Sequence, residues 1–285
     1  MAFRIDDIDQ TQAPLLDHLI ELRGRLLKAI AALAVSFCVC LYLADEIFGF
    51  LVRPLTEAFP PGQGRLVYTK LYEAFFVELK VALFAAFFVS FPIIANQLWA
   101  FVAPGLYAKE KKAFLPFLIA TPVLFTAGAA LAYYLVMPTA FHWMLGFQGE
   151  RGGLTMEALP ATGDYLSLVM QFILAFGISF LLPVLLMLLN RAGLVSRTQL
   201  IGLRRYVIVA ITAVAAVITP PDVISQILLL VPLVLLFEGS LALMWFTDRR
   251  EARAKAEAEQ SEAGKAETGR GEVAAEPSSG ELQRP

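Results

Sequence analysis

Long apolar blocks separated by short charged segments set the pattern of this chain. The blocks cover about residues 26–44, 74–102, 114–137, 165–190, 206–219 and 223–246. Each predicts a helix, because a segment crossing lipid must satisfy its backbone hydrogen bonds within itself. No alternating pattern of ten-residue segments suggests a membrane barrel. Most blocks are long enough to cross a hydrocarbon core of about 30 Å. Block 206–219 is the exception, since at ~1.5 Å per residue it reaches only about 21 Å. The pattern therefore predicts an all-α integral membrane protein with six transmembrane helices and both termini on one side.

Composition agrees. Of the 285 residues, 58% are hydrophobic and 17% charged, against about half and about a quarter in soluble domains. The net charge of −2 sums segments that face different sides and decides nothing. The distribution of Lys and Arg is informative. Arg4, Arg23, Arg25, Lys28, Lys109, Lys111, Lys112, Arg191, Arg197, Arg204 and Arg205 fall on one side of the six blocks, and seven more follow in the tail. Arg53, Arg65, Lys70, Lys80 and Arg151 fall on the other. The excess of basic residues predicts that the first side is cytoplasmic. Asp6, Asp7 and Asp9 give the N-terminus the wrong charge for a signal peptide, so the first span is expected to be retained.

The outer loops are unequal. The first, about 45–73, carries Pro54, Pro60, Pro61, Gly62 and Gly64; the second, about 138–164, is glycine-containing; the third is only Pro220, Pro221 and Asp222. Residues 1–247 thus form the membrane domain. Residues 248–285 have almost no large apolar side chains and are expected to form a disordered, charged cytoplasmic tail, with nascent helix over 251–259.

Several features bear on chemistry. Pro92, Pro116, Pro122, Pro183 and Pro232 lie in or near spans, where each removes a helix hydrogen bond and favours a kink. They predict a curved, cup-like body, although proline is also ordinary in membrane helices. The short fifth span sets its hairpin below the outer surface or thins the bilayer. Thr219, Asp222, Ser225 and Gln226 then lie at or below the interface, where polar groups need partners. Asp222 either caps the next helix or contributes to a contact for an inserted partner helix. Glu238 is the one acid well inside a span; it must be protonated, paired or beside a wet cavity. Glu21 and Glu110 are flanked by bases on the cytoplasmic side. They form either solvated salt-bridge faces or a carboxylate site for two guanidinium groups. Cys38 and Cys40, two apart on a helix, point to nearly opposite faces and read as small hydrophobes. No Walker loop, HExxH or GxSxG is present, and His18 and His142 stand alone, so neither catalysis, a metal nor a cofactor is expected.

The segments LLDHLIELRGRL (15–26), NQLWAFVAPGLYAKEKK (96–112), AFGISFLLPV (175–184) and ITPPDVISQILLLVPLVLLFE (218–238), with LVRPL (51–55) in the first outer loop, resemble the C subunit family of the twin-arginine protein translocase. The resemblance covers residues 14 to about 247, in order and on the matching spans. It implies a receptor in the bacterial inner membrane that binds the paired-arginine signal peptide of folded precursors. It also implies single-span Tat partner subunits (TatA/TatB type), several copies in one complex, drive from the proton-motive force, and no role for nucleic acid. By the same resemblance, Glu21, Glu110, Arg23 and Phe101 form the signal-binding region. Thr219, Asp222 and Gln226 contact partner helices, and Pro54 belongs to a loop important for assembly. One departure stands out: many members of the family carry a glutamate where this chain has Leu181. Gln171, about 15 Å away along the same helix, cannot take its place. The rival class is a secondary transporter of a small solute, which Glu238 and kinked spans would permit; against it, no internal repeat of the transporter kind is visible.

Overall fold

The structure is a computed structural model, and it describes residues 6–60, 64–106, 115–191, 193–219 and 223–273. Helix α1 (Asp6–Tyr42) is followed by α2 (Ala44–Ala58), α3 (Glu73–Leu106), α4 (Leu115–Leu131), α5 (Met137–Leu145), α6 (Thr162–Ser179), α7 (Leu182–Arg191), α8 (Arg197–Gly202), α9 (Arg204–Ile218) and α10 (Val223–Val273). Among the described residues the only sheet is a small antiparallel hairpin, β1 (Gly149–Arg151) with β2 (Leu154–Met156).

Five stretches are long and apolar enough to cross a membrane: His18–Tyr42, Glu73–Phe101, Phe117–Leu145, Thr162–Arg191 and Val223–Arg250. The third continues past the predicted end at 137, because a π-helical turn (Ala132–Val136) joins α4 to α5 without a break. Met137 N–H donates to the Ala132 carbonyl there, and Pro138, one residue on, removes a donor from the regular ladder. The fourth stretch is interrupted at Phe180 and Leu181. Pro183 has no N–H for the Ser179 carbonyl and its ring crowds that carbonyl, so the turn tightens, and Leu181 N–H reaches Ile178 at 3.0 Å. Helix α9, with 15 residues, is short as predicted.

Part of the first outer loop is helical: α2 occupies 44–58 and buries Ala44, Leu51, Val52, Pro54 and Leu55 while Arg53 and Glu57 pair at 2.7 Å on its exposed face. Pro54 lies inside this helix and supplies no N–H to the Phe50 carbonyl. The Tyr133 hydroxyl, from the π-helical turn, donates to that carbonyl instead at 2.7 Å, and the Tyr165 hydroxyl donates to the next one, Leu51, at 2.9 Å. Residues 248–273 continue α10 as helix. Ala, Glu, Lys and Arg lose little rotamer freedom in a helix, and a helix already nucleated in the membrane extends at low cost.

The core is aliphatic and aromatic. Phe125 of α4 is 1% exposed and stacks on Phe91 of α3 at 3.8 Å between centroids. Helices α4 and α6 touch at glycines: a Cβ on Gly128 would stand 2.5 Å from the Phe176 carbonyl oxygen, and one on Gly177 would stand 2.7 Å from the Phe125 ring. Small residues allow such backbone approach between membrane helices. Nearby, Trp99 Nε1 donates to Thr121 Oγ1 at 2.7 Å, which in turn donates to the Phe117 carbonyl, tying α3 to α4.

Candidate functional site

Three contacts define one end of the molecule. His18 of α1 stacks on Phe101 of α3, Arg191 of α7 lies over the Phe117 ring of α4, and Arg204 of α9 bonds Glu238 of α10. Arg25, Arg191, Arg204 and Arg249 all lie towards this basic end. The other end is built from α2, the β1–β2 hairpin and a parallel bridge between Val67 and Ala161. Glu73 holds that far end together. Its carboxylate accepts from Thr69 N–H (2.7 Å), Thr69 Oγ1 (2.9 Å), Lys70 N–H (3.2 Å) and Gly163 N–H (2.8 Å). The side chain thereby joins the start of α3 to the start of α6.

Glu21 sits on α1 at the basic end. Its neighbours follow helix spacing: His18 precedes it by three residues and Arg25 follows by four, so all three share a face. Arg25 Nε and Nη2 both donate to Oε1, at 3.0 and 2.5 Å. Oε2 has His18 Nδ1 at 4.0 Å, beyond hydrogen-bond range. The same His18 ring stacks on half-buried Phe101, centroids 4.2 Å apart and 18° between planes. Glu21 and Phe101, far apart in sequence, are therefore brought to one place by α1 and α3 packing together. Arg23 is exposed and, two residues on, lies away from this face. Glu110 lies outside the described residues. His18 and Arg25 were not singled out from sequence as parts of the site. The three- and four-residue spacing was the signal for both, but the stack on Phe101 depends on tertiary packing alone.

At the opposite end of α9, Thr219 is buried and its hydroxyl donates to the Ala215 carbonyl at 2.9 Å. Gln226 is half-buried one helical turn into α10, and Asp222 lies outside the described residues. Val209, Val214 and Val217 leave an exposed apolar face on α9, whereas Ile211 and Ala215 are buried. Pro54 is buried in α2. Of the three alternatives open for Glu238, the geometry gives pairing: Arg204 Nη2 donates to its Oε2. Leu181 is half-buried at the α6–α7 break, packed with the cluster around Phe125.

A family model described as Sec-independent protein translocase protein (TatC) matches residues 17–232. The chain is 47% identical over 256 residues to the Sec-independent protein translocase protein TatC of Magnetococcus marinus, covering 90% of this chain and 91% of that protein. It is 38% identical over 231 residues to the protein of that name from Escherichia coli strain K12, covering 81% and 87%. A crystal structure described as the twin arginine translocase receptor TatC in DDM superposes with a TM-score of 0.70 at 36% identity, covering 79% of this chain and 98% of that one.

Proposed function

The chain belongs to the Sec-independent protein translocase (TatC) family, and from that membership we propose that it is the receptor for paired-arginine signal peptides in its export system. The observation that carries this is the state of Glu21. One carboxylate oxygen is held by Arg25, and the other lies 4.0 Å from His18, whose ring stacks on Phe101, in a side chain about a third exposed. A part-exposed ion pair between residues four apart contributes only ~0.3–0.5 kcal/mol, so Arg25 keeps the carboxylate in place without committing it. An arriving guanidinium adds charge-assisted bonds of about 1.5–3 kcal/mol each, and Glu110 takes the second arginine of the pair. Arg23 and Phe101 border the site, with Phe101 offering an apolar surface to the segment that follows the arginines.

The same reading sets the basic end in the cytoplasm, takes α9 as a sixth, short span, and assigns the chain to the bacterial inner membrane with both termini inside. Single-span partner subunits dock at the α9–α10 hairpin through Thr219, Asp222 and Gln226, and Pro54 supports assembly from α2. Translocation draws on the proton-motive force, and the chain itself performs no covalent step.

The test is crosslinking of the chain in membranes to a twin-arginine precursor that carries the photocrosslinker beside its arginine pair. Glu21→Lys with Glu110→Lys is expected to lower the crosslinked yield by about a hundredfold, with each lost pair contributing about tenfold. Unchanged yield in that double variant rejects the proposal.

A further inference from the structure

At the basic end a cleft of about 300 Å³ opens between α8, α9 and α10, lined by Arg197, Ile201, Arg204, Glu238, Leu241, Ala242 and Trp245. We infer that this cleft binds the phosphate of an anionic phospholipid. The charge balance favours an anion. Glu238 neutralises Arg204 through their ion pair, which leaves Arg197 as a net positive charge in the wall. Arg204 engages one of five donors on Glu238 and keeps others for a second acceptor. Arg249 brings another cation to the rim, its guanidinium 4.0 Å from the Trp245 ring centroid.

An independent observation points to a missing acceptor. The Arg197 Nε is buried and has no hydrogen-bond partner among the described residues. Buried donors are nearly always satisfied, and a small turn of the Arg197 side chain into the cleft would bring this one to a phosphate oxygen.

The shape favours a lipid as the source of the phosphate. The guanidinium groups stand beside apolar walls from Ile201, Leu241, Ala242 and Trp245. Leu203, Tyr206, Leu243 and Phe246 close by are all roughly half exposed. A headgroup on the arginines and acyl chains along this apolar surface match both halves. The cleft also runs from Glu238 towards the end of the Val223–Arg250 stretch, where Trp245 and Arg249 suit the headgroup level, and basic pockets between helices there take anionic headgroups. This inference needs only that the chain resides in a bilayer, and its test contains no precursor, so it stands or fails apart from the signal-peptide reading.

The full chain, purified in detergent and loaded with phosphatidylglycerol or phosphatidylcholine, is assayed for retained lipid by native mass spectrometry. Wild type is expected to retain phosphatidylglycerol preferentially. Arg197→Gln is expected to lower that retention about fivefold, and Arg197→Lys to keep most of it. Ala242→Phe fills the cleft without changing charge and should lower retention as well; it carries the test if Arg197→Gln fails to fold. Arg53→Gln, at the opposite end, should retain lipid as wild type does. Equal retention of both lipids, or undiminished phosphatidylglycerol in folded Arg197→Gln or Ala242→Phe, overturns the inference. Displacement of the lipid by millimolar inorganic phosphate would assign the cleft to a soluble anion and overturn it too.

Discussion

Glu21 carries two relations that pull in different directions. Arg25 fixes its Oε1, and a bound signal arginine would compete for the same charge. Arg25→Gln should therefore tighten peptide binding by about twofold, the worth of a part-exposed pair. Glu21→Gln should weaken it by about tenfold or more. A fluorescence titration with a labelled twin-arginine peptide measures both, and equal weakening by the two variants would mean that Arg25 contacts the peptide itself. A second residue-scale relation is Tyr133 with Pro54. The hydroxyl accounts for the Phe50 carbonyl that Pro54 leaves without a donor, so Tyr133→Phe should destabilise the protein by about 1–3 kcal/mol. In a Pro54→Ala background the restored backbone N–H at position 54 takes the carbonyl, and the same change should cost less than half as much. Denaturation of the four variants in detergent closes this cycle. The acids at 21 and 238 were visible in the sequence because charge near an apolar block is conspicuous. Their partners were not equally visible. Arg25 follows from helix spacing, whereas Arg204 meets Glu238 only because α9 folds back on α10.

At the scale of elements, the long helices were legible for one reason: lipid forces each apolar block to bond its own backbone. The same rule has no force outside the hydrocarbon, and there the apolar pattern says less. Segment 44–58 contains Pro54 and leads into Pro60, Pro61 and Gly62, which reads as loop, yet α2 forms because it buries Leu51, Val52 and Leu55 against the core. Tertiary burial outweighs local propensity. The break at Phe180 was foreshadowed by Pro183, but the packing of the Phe180 ring against Gly128 was not. That contact makes a prediction. Gly128→Val places atoms where the Phe176 carbonyl and Phe180 ring already stand, and overpacking of this kind costs about 1–3 kcal/mol. The expected result is a lower thermal midpoint and a loss of α4–α6 contact, read by a disulfide engineered across the two helices. An unshifted midpoint would show that the helices slide apart freely.

For the whole molecule, the topology turns on α9. Its 15 residues span about 22 Å, short of the ~30 Å core, yet the contacts at its two ends are fixed: Arg204 meets Glu238 at the basic end, and Thr219 is buried at the other. If α9 crosses, positions 198 and 253 lie on the same side of the membrane, because α9 and α10 together make a return trip. If α9 does not cross, α10 alone separates them. Cysteine labelling decides between these in a background of Cys38→Ala and Cys40→Ala, whose thiols are the only two in the chain. Thr155→Cys on the exposed β1–β2 hairpin should react with a membrane-impermeant maleimide in cells with an intact inner membrane. Thr198→Cys and Arg253→Cys, both exposed positions, should react only after that membrane is permeabilised. Labelling of position 253 but not 198 in intact cells would remove the sixth span. Protection of 155 with labelling of the other two would invert the protein, and would put Glu21 on the side where no cytoplasmic precursor arrives.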